Sequence, residues 1–210
     1  MATSVAETLA EAAGREGVDV GDIGRGTGGR EAIDAHLRSD RGDITVTAEP
    51  DGRLQVLLAG TGFEWARGWT SGPAEAVRAI ALWRTGARLR ELAARFPFLV
   101  ASELGQAHED GRGLDHRWQR LLGDPALAPL ARALHDNPVL GALGPSVSHG
   151  NFVRLELGGR GLNYAEVHVI QLRDGFQVGG SWDETPRLVP TIDEAVAEAV
   201  ALVQAHTHGG

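Results

Sequence analysis

The chain has 210 residues, ordinary apolar content and a formal charge of −8, so it is long enough to bury one core or two small ones. All 20 basic residues are Arg and there is no Cys. That excludes Schiff-base lysines, a phosphate-loop lysine, disulfides, thiolate nucleophiles and Cys-ligated metal, and it fits a reducing cytoplasm. The acidic balance argues against nucleic acid as a partner. With no apolar run of about eighteen residues, no membrane span is expected, and the first residues lack the pattern of a signal peptide.

Ser4 to Arg15 reads as a helix, with Ser4 and Glu7 forming a capping box and Gly17 ending it. Gly24, Gly26 and Gly29 spell G-x-G-x-x-G before a short expected helix, Arg30 to Leu37. The preceding strand would carry Asp19 and Asp22, the following helix would last barely two turns and no second strand ends in an acid, so a loop is the simpler reading than a dinucleotide site. Arg41-Gly42-Asp43 matches an adhesion tripeptide in letters only and is also read as a loop.

Ile44 to Pro50 and Leu54 to Leu58 flank Asp51-Gly52, a hairpin signal because Gly accepts positive φ and Asp tolerates it. Phe63 to Trp69 follows as a third strand, with Phe63, Trp65, Arg67 and Trp69 on one face. Pro73 then starts a helix that ends at Trp83 and Arg84, near Gly86. A similar unit recurs near the end of the chain. Ala165 to Leu172 and Phe176 to Val178 flank Asp174-Gly175, and Thr191 with Glu194 caps a helix striped by Val196, Ala199, Val200 and Val203. Between the units lie helices at Ala87–Arg95, Leu114–Leu122 and Asp124–His135, a polar loop at Gln106–Gly113, and a turn-rich stretch from Pro138 to Pro145. Ser146 to Leu157 reads as one long strand. The tail, His206 to His208, is expected to fray.

The expected fold is therefore α+β: an antiparallel sheet built from two ββα-like units, covered by helices, with a helical middle segment. Residues 1–210 are grouped as a single domain. Its parts are 1–43 (N-terminal helices and Gly-rich loop), 44–86 (first ββα unit), 87–145 (helical middle) and 146–206 (second hairpin and helix).

Three clusters could carry chemistry. Tyr164, Glu166 and His168 share one strand face, and His149 in Ser148-His149 could approach it. Two histidines and a carboxylate suit acid–base work or a metal, and they equally suit a polar stripe on a wetted sheet. His108-Glu109-Asp110 with Asp115-His116 has ligand-type residues at no useful spacing and reads as a solvated loop. Phe63, Trp65, Trp69, Trp83 and Trp182, with Glu64 and Arg67 close by, could line a pocket for a flat or apolar ligand, or simply pack a core.

Leu140-Gly-Ala-Leu-Gly-Pro-Ser-Val-Ser-His-Gly-Asn-Phe-Val-Arg-Leu155 resembles a stretch of the DUF6193 natural-product biosynthesis family of bacteria. Glu91 to Phe98, Trp118 to Leu122 and the Thr191-x-x-Glu194-Ala-Val start of the last helix resemble further parts of it. The likeness spans roughly residues 75 to 205. Gly144-Pro145-Ser146 stands where that family has Phe-Pro before Val-Ser-His-Gly. The resemblance implies a role in a biosynthetic cluster and no particular catalytic residues. The sequence thus favours a non-catalytic accessory or binding protein whose partner is a small-molecule or peptide intermediate, or another pathway protein. The alternative is a cofactor-free cyclase, isomerase or hydrolase using His149 with Glu166 or His168. The ligand positions would be Trp65, Arg67, Trp69, Tyr164 and Trp182, with no cofactor expected. An immunity protein is a weaker third option, drawn from the acidic charge.

Overall fold

The computed structural model describes residues 3–26, 34–148, 150–158, 165–183 and 185–208. The fold is α+β, with two antiparallel sheets. The two hairpins, grouped by sequence in one domain with the sharing of a sheet left open, fall in two compact units, Met1–Gly113 and Leu114–Gly210, each holding its own sheet.

The first unit begins with α1 (Val5–Glu16), bounded by the expected Ser4–Glu7 capping box and a left-handed Gly17. Six strands follow: β1 (Gly24–Arg25), β2 (Asp34–Ser39), β3 (Gly42–Ala48), β4 (Leu54–Gly60), β5 (Phe63–Thr70) and β6 (Leu99–Ala101), paired strictly in that order. Helices α2 (Pro73–Arg84) and α3 (Leu89–Arg95) lie between β5 and β6, and α4 (Glu103–Glu109) ends the unit. Strands β3 and β4 alternate because one face is buried. Ile44, Val46, Val56 and Leu58 join Leu9 of α1 and Ile80 and Trp83 of α2 in one core.

Two expectations in this unit are corrected. The helix expected from Arg30 to Leu37 is replaced over its described part by β2, where Ala35 and Leu37 point into the core while His36 and Arg38 face out. That period-two pattern is met by pairing with β3, and a two-turn helix has no comparable source of stability. The polar loop expected from Gln106 is helix α4 up to Glu109, because the Ser102 hydroxyl accepts from the Gly105 amide and starts the turn.

The charged turn at the end of α4 holds this part of the unit together. Both oxygens of Glu109 accept from the Leu89 amide, at 3.0 and 3.1 Å, and so cap α3, whose own N-cap Arg88 supplies no such bond. Arg41, from the β2–β3 turn, donates to Glu109 at 2.8 Å and to the Ala87 carbonyl at 2.8 Å. Its guanidinium lies 3.6 Å from the Trp83 ring centre and 4.6 Å from that of Trp65. Trp65 in turn donates its indole N–H to the Arg41 carbonyl at 2.9 Å. Burial pushes the Glu109 carboxyl up, but the Leu89 amide and the Arg41 guanidinium outweigh it and hold the group below the usual carboxylate range.

The second unit contains α5 (Gly113–Leu122), which opens at the boundary, α6 (Ala128–Asp136) and α7 (Ile192–His208). Its sheet comprises β7 (Gly144–Ser148), β8 (Phe152–Gly158), β9 (Ala165–Leu172), β10 (Gly175–Gly180) and β11 (Arg187–Val189), again paired in chain order. The single strand expected from Ser146 to Leu157 is a hairpin instead. Ser148 pairs with Phe152, and the bend falls between them. The predicted turn at Asp174-Gly175 is present, with Gly175 at φ +142° and its α-carbon so close to the Val189 carbonyl that a Cβ would come within 2.6 Å. Thr191 and Glu194 form the expected capping box of α7. That helix buries Ala195, Ala199 and Val203 against Val167, Val169 and Val178. The tail expected to fray is helical through His208. No helix of the described residues is long and apolar enough to cross a membrane.

Removing the Glu109 carboxylate strands Arg41 between two indoles and uncaps α3. Glu109→Ala is expected to lower stability by about 2–4 kcal/mol, since it breaks a largely buried pair. The Glu109 contribution is present above the unfolded-state carboxylate pKa and is lost as pH falls through the lower folded value. The gap between wild type and variant in urea unfolding is therefore expected to close below about pH 4.

Candidate functional site

The polar candidate lies on the sheet of the second unit, on the face turned away from α7. In β9, Ala165, Val167 and Val169 are buried, which sends Glu166, His168 and Ile170 to the opposite face. In β8 the same alternation buries Val153 and Leu155 and turns out Phe152, Arg154 and Glu156. Register then aligns Ser146, Arg154, His168 and Gly179 in one cross-strand row. Gly144, Glu156 and Glu166 form the next row.

Within this face, Phe152 meets the His168 ring edge-on at 5.5 Å between centres. Gly179 gives the imidazole room, for a Cβ there would sit 2.8 Å from its Nε2. Arg154 faces Glu166 at 3.9 Å, near enough for attraction but too far for a hydrogen bond. Arg117 of α5 makes a 2.8 Å ion pair with Glu156, and both side chains are mostly covered. The backbone of Glu166 is fixed by Ser181, whose hydroxyl accepts from its amide at 3.2 Å and whose N–H donates to its carbonyl at 2.9 Å. Burial pushes the His168 imidazole below its ordinary value, with Glu166 and Asp183 pulling weakly the other way.

Four buried polar atoms of this unit have no hydrogen-bond partner among the described residues: Ser146 Oγ, Arg154 Nε, Glu166 Oε2 and Arg117 Nε. Each such group costs about 1–3 kcal/mol when left unpaired, so four together are unusual for a surface that serves packing alone.

The expected catalytic set is placed only in part. Glu166 and His168 share a face, as their spacing predicts; His149 and Tyr164 lie outside the described residues. Sequence reading assigned no role to Arg154, Ser146 and Phe152. The alternation of residues 152–157 places Arg154 and Phe152 on one face, but only strand register brings them beside His168. Ser146 is separated from His168 by the whole of β8, roughly 9–10 Å at ordinary strand spacing, so no hydroxyl–imidazole relay is built between them. Among the described residues no group of three or more His, Asp or Glu is placed to hold a metal ion.

The expected aromatic set divides between the units. In the first, Trp65 is half-buried against Phe63, Trp83 and Arg41, whereas Trp69 is exposed. Arg67 is held by Glu64 through an Nε–Oε2 contact of 2.9 Å. In the second, Trp182 stacks on His206 of α7 at 4.2 Å and lies over Gly180. The acidic cluster read as a solvated loop is corrected. His108 stacks on Phe63 at 4.0 Å, and Glu109 is the cap and ion-pair centre described above. No local pattern marks that role, since Arg41 and Glu109 are 68 residues apart.

No family model, no curated protein and no solved structure matches the chain.

Because the His168 pKa is depressed in the folded state, its contribution to stability is present above the unfolded value near pH 6.5 and is lost as pH falls through the folded one. Wild type is therefore expected to lose more stability than His168→Gln between pH 7 and pH 5 in urea unfolding, and parallel curves would contradict the burial of that ring.

Proposed function

We propose that the protein is a non-catalytic binding protein that holds a small-molecule or peptide intermediate on the face of its second sheet turned away from α7. Following the DUF6193 resemblance, its setting is a bacterial natural-product biosynthetic cluster, where it acts as an accessory component. The observation that carries this reading is the group of unpartnered buried polar atoms from Ser146, Arg154 and Glu166 on one face, beside Phe152 and His168. A guanidinium can take a carboxylate or amide oxygen, the carboxylate can take an amine or amide N–H, and the aromatic ring covers an apolar portion. These are the groups of an amino acid or short peptide. The wide separation of Ser146 from His168 favours recognition over nucleophilic catalysis.

A second reading, a small cofactor-free cyclase, isomerase or hydrolase, is favoured by one observation. Burial keeps His168 neutral near neutral pH, and a neutral imidazole beside Glu166 can accept a proton.

The test is calorimetric or NMR titration of the folded chain with a panel of amino acids, dipeptides and their C-terminal amides. Binding of at least one member is expected, with a loss of about 10–100-fold in Arg154→Ala and in Glu166→Gln, the range for a charge-assisted hydrogen bond. No binding by any member, or binding unaffected by both substitutions in variants with native circular dichroism, would remove this reading. Conversion of a bound member to product, abolished in His168→Ala, would establish the enzyme instead.

A further inference from the structure

The first unit holds a cavity of about 470 Å³ that plays no part in the face described above. Its floor is apolar: Val18 after α1, Ala81 and Leu82 on α2, and Phe96 after α3. Three arginines, Arg78, Arg84 and Arg95, stand around it, with Asp19 as the one carboxylate in the lining. In a chain of net charge −8 this is a local reversal of sign.

The side chains differ in how they are engaged. Asp19 accepts from the Gly21 amide at 2.7 Å, so one of its oxygens already serves the loop. Arg84 is held by the Arg38 carbonyl. Arg78 has a 3.4 Å contact with Glu16, long for a hydrogen-bonded pair. Arg95 has no ion pair or hydrogen bond with any described residue. Arginines in a last helical turn commonly answer the helix dipole, and Arg84 and Arg95 occupy such turns. Here, however, several of the terminal carbonyls already have backbone partners. Thr85 donates to the carbonyls of Ala81 and Leu82, Gly86 to that of Trp83, and Phe96 to that of Leu92. Thr85 Oγ1 also donates to the Leu82 carbonyl at 2.7 Å. The guanidinium groups therefore retain donors for a ligand.

We propose that this cavity binds an anionic amphiphile, a carboxylate carried on an alkyl or aryl body. The body rests on Val18, Leu82 and Phe96, and the carboxylate meets Arg95 and Arg78 at the rim. The volume lies within the range of small-molecule sites, and an apolar floor with a few charged groups at its edge is their usual composition. A neutral amphiphile would leave the arginines unused, and a cationic one would face the same charge.

The probe is decanoate, followed by its displacement of anilinonaphthalene sulfonate fluorescence from the folded full-length chain, with decyltrimethylammonium as the charge-reversed control. Displacement by decanoate is expected, with the cation at least ten-fold weaker. Arg95→Glu, at an exposed position, is expected to keep the native circular dichroism spectrum and to weaken decanoate by about ten-fold or more, as for loss of one charge-assisted contact. Arg78→Glu supplies a second variant should the first unfold. The proposal is overturned if decanoate does not compete, if the cation competes equally well, or if a folded charge-reversal variant binds decanoate like wild type.

Discussion

The first unit depends on one ion pair and what surrounds it: Arg41 against Glu109, with the guanidinium lying over Trp83. Helices α3 and α4 have seven residues each, too short to persist on their own propensity. Glu109 supplies the missing acceptor at the start of α3 and, from the same two oxygens, neutralises the arginine that reaches in from the β2–β3 turn. A partly desolvated guanidinium over an indole contributes on the order of 1–2 kcal/mol, and the carboxylate fixes which way it points. Five segments of chain therefore meet at one charge pair, and the aromatic residues that looked like ligand contacts are partly committed to holding it.

The second unit is arranged on a different basis. One face of its sheet is closed by α7, whose small residues at four-residue spacing let the helix approach the valines of β9 and β10. The other face bears Arg154, Glu166, His168 and Phe152, and its polar groups are not fully matched to one another. Apolar self-satisfaction on one side and unmet hydrogen-bonding capacity on the other is a division that stability alone does not require.

Much of the architecture was legible because it is local. Asp51-Gly52 and Asp174-Gly175 specify their bends through the φ that glycine allows, and Ser4–Glu7 and Thr191–Glu194 mark helix starts within four residues. What escaped depends partly on distant partners and partly on local features that composition disguises. Strand β2 exists because β3 offers hydrogen bonds to it, and α4 was hidden by its polar composition. The bend between Ser148 and Phe152 broke a run whose alternation looked continuous. For the candidate site, period two sufficed to put Glu166 with His168, but the strand register that adds Arg154 and Ser146 is not written in either strand alone.

Both sheets list their strands in the order in which the chain makes them, from β1 to β6 and from β7 to β11. Each new strand thus docks on the one synthesised before it, and neither sheet requires an earlier strand to wait for a later insertion between two neighbours. Assembly can proceed by successive zippering with little loop-closure entropy at most steps, which favours rapid folding for a protein so rich in β-structure. On a ribosome the six-stranded meander would have its full complement of partners before the five-stranded one had emerged.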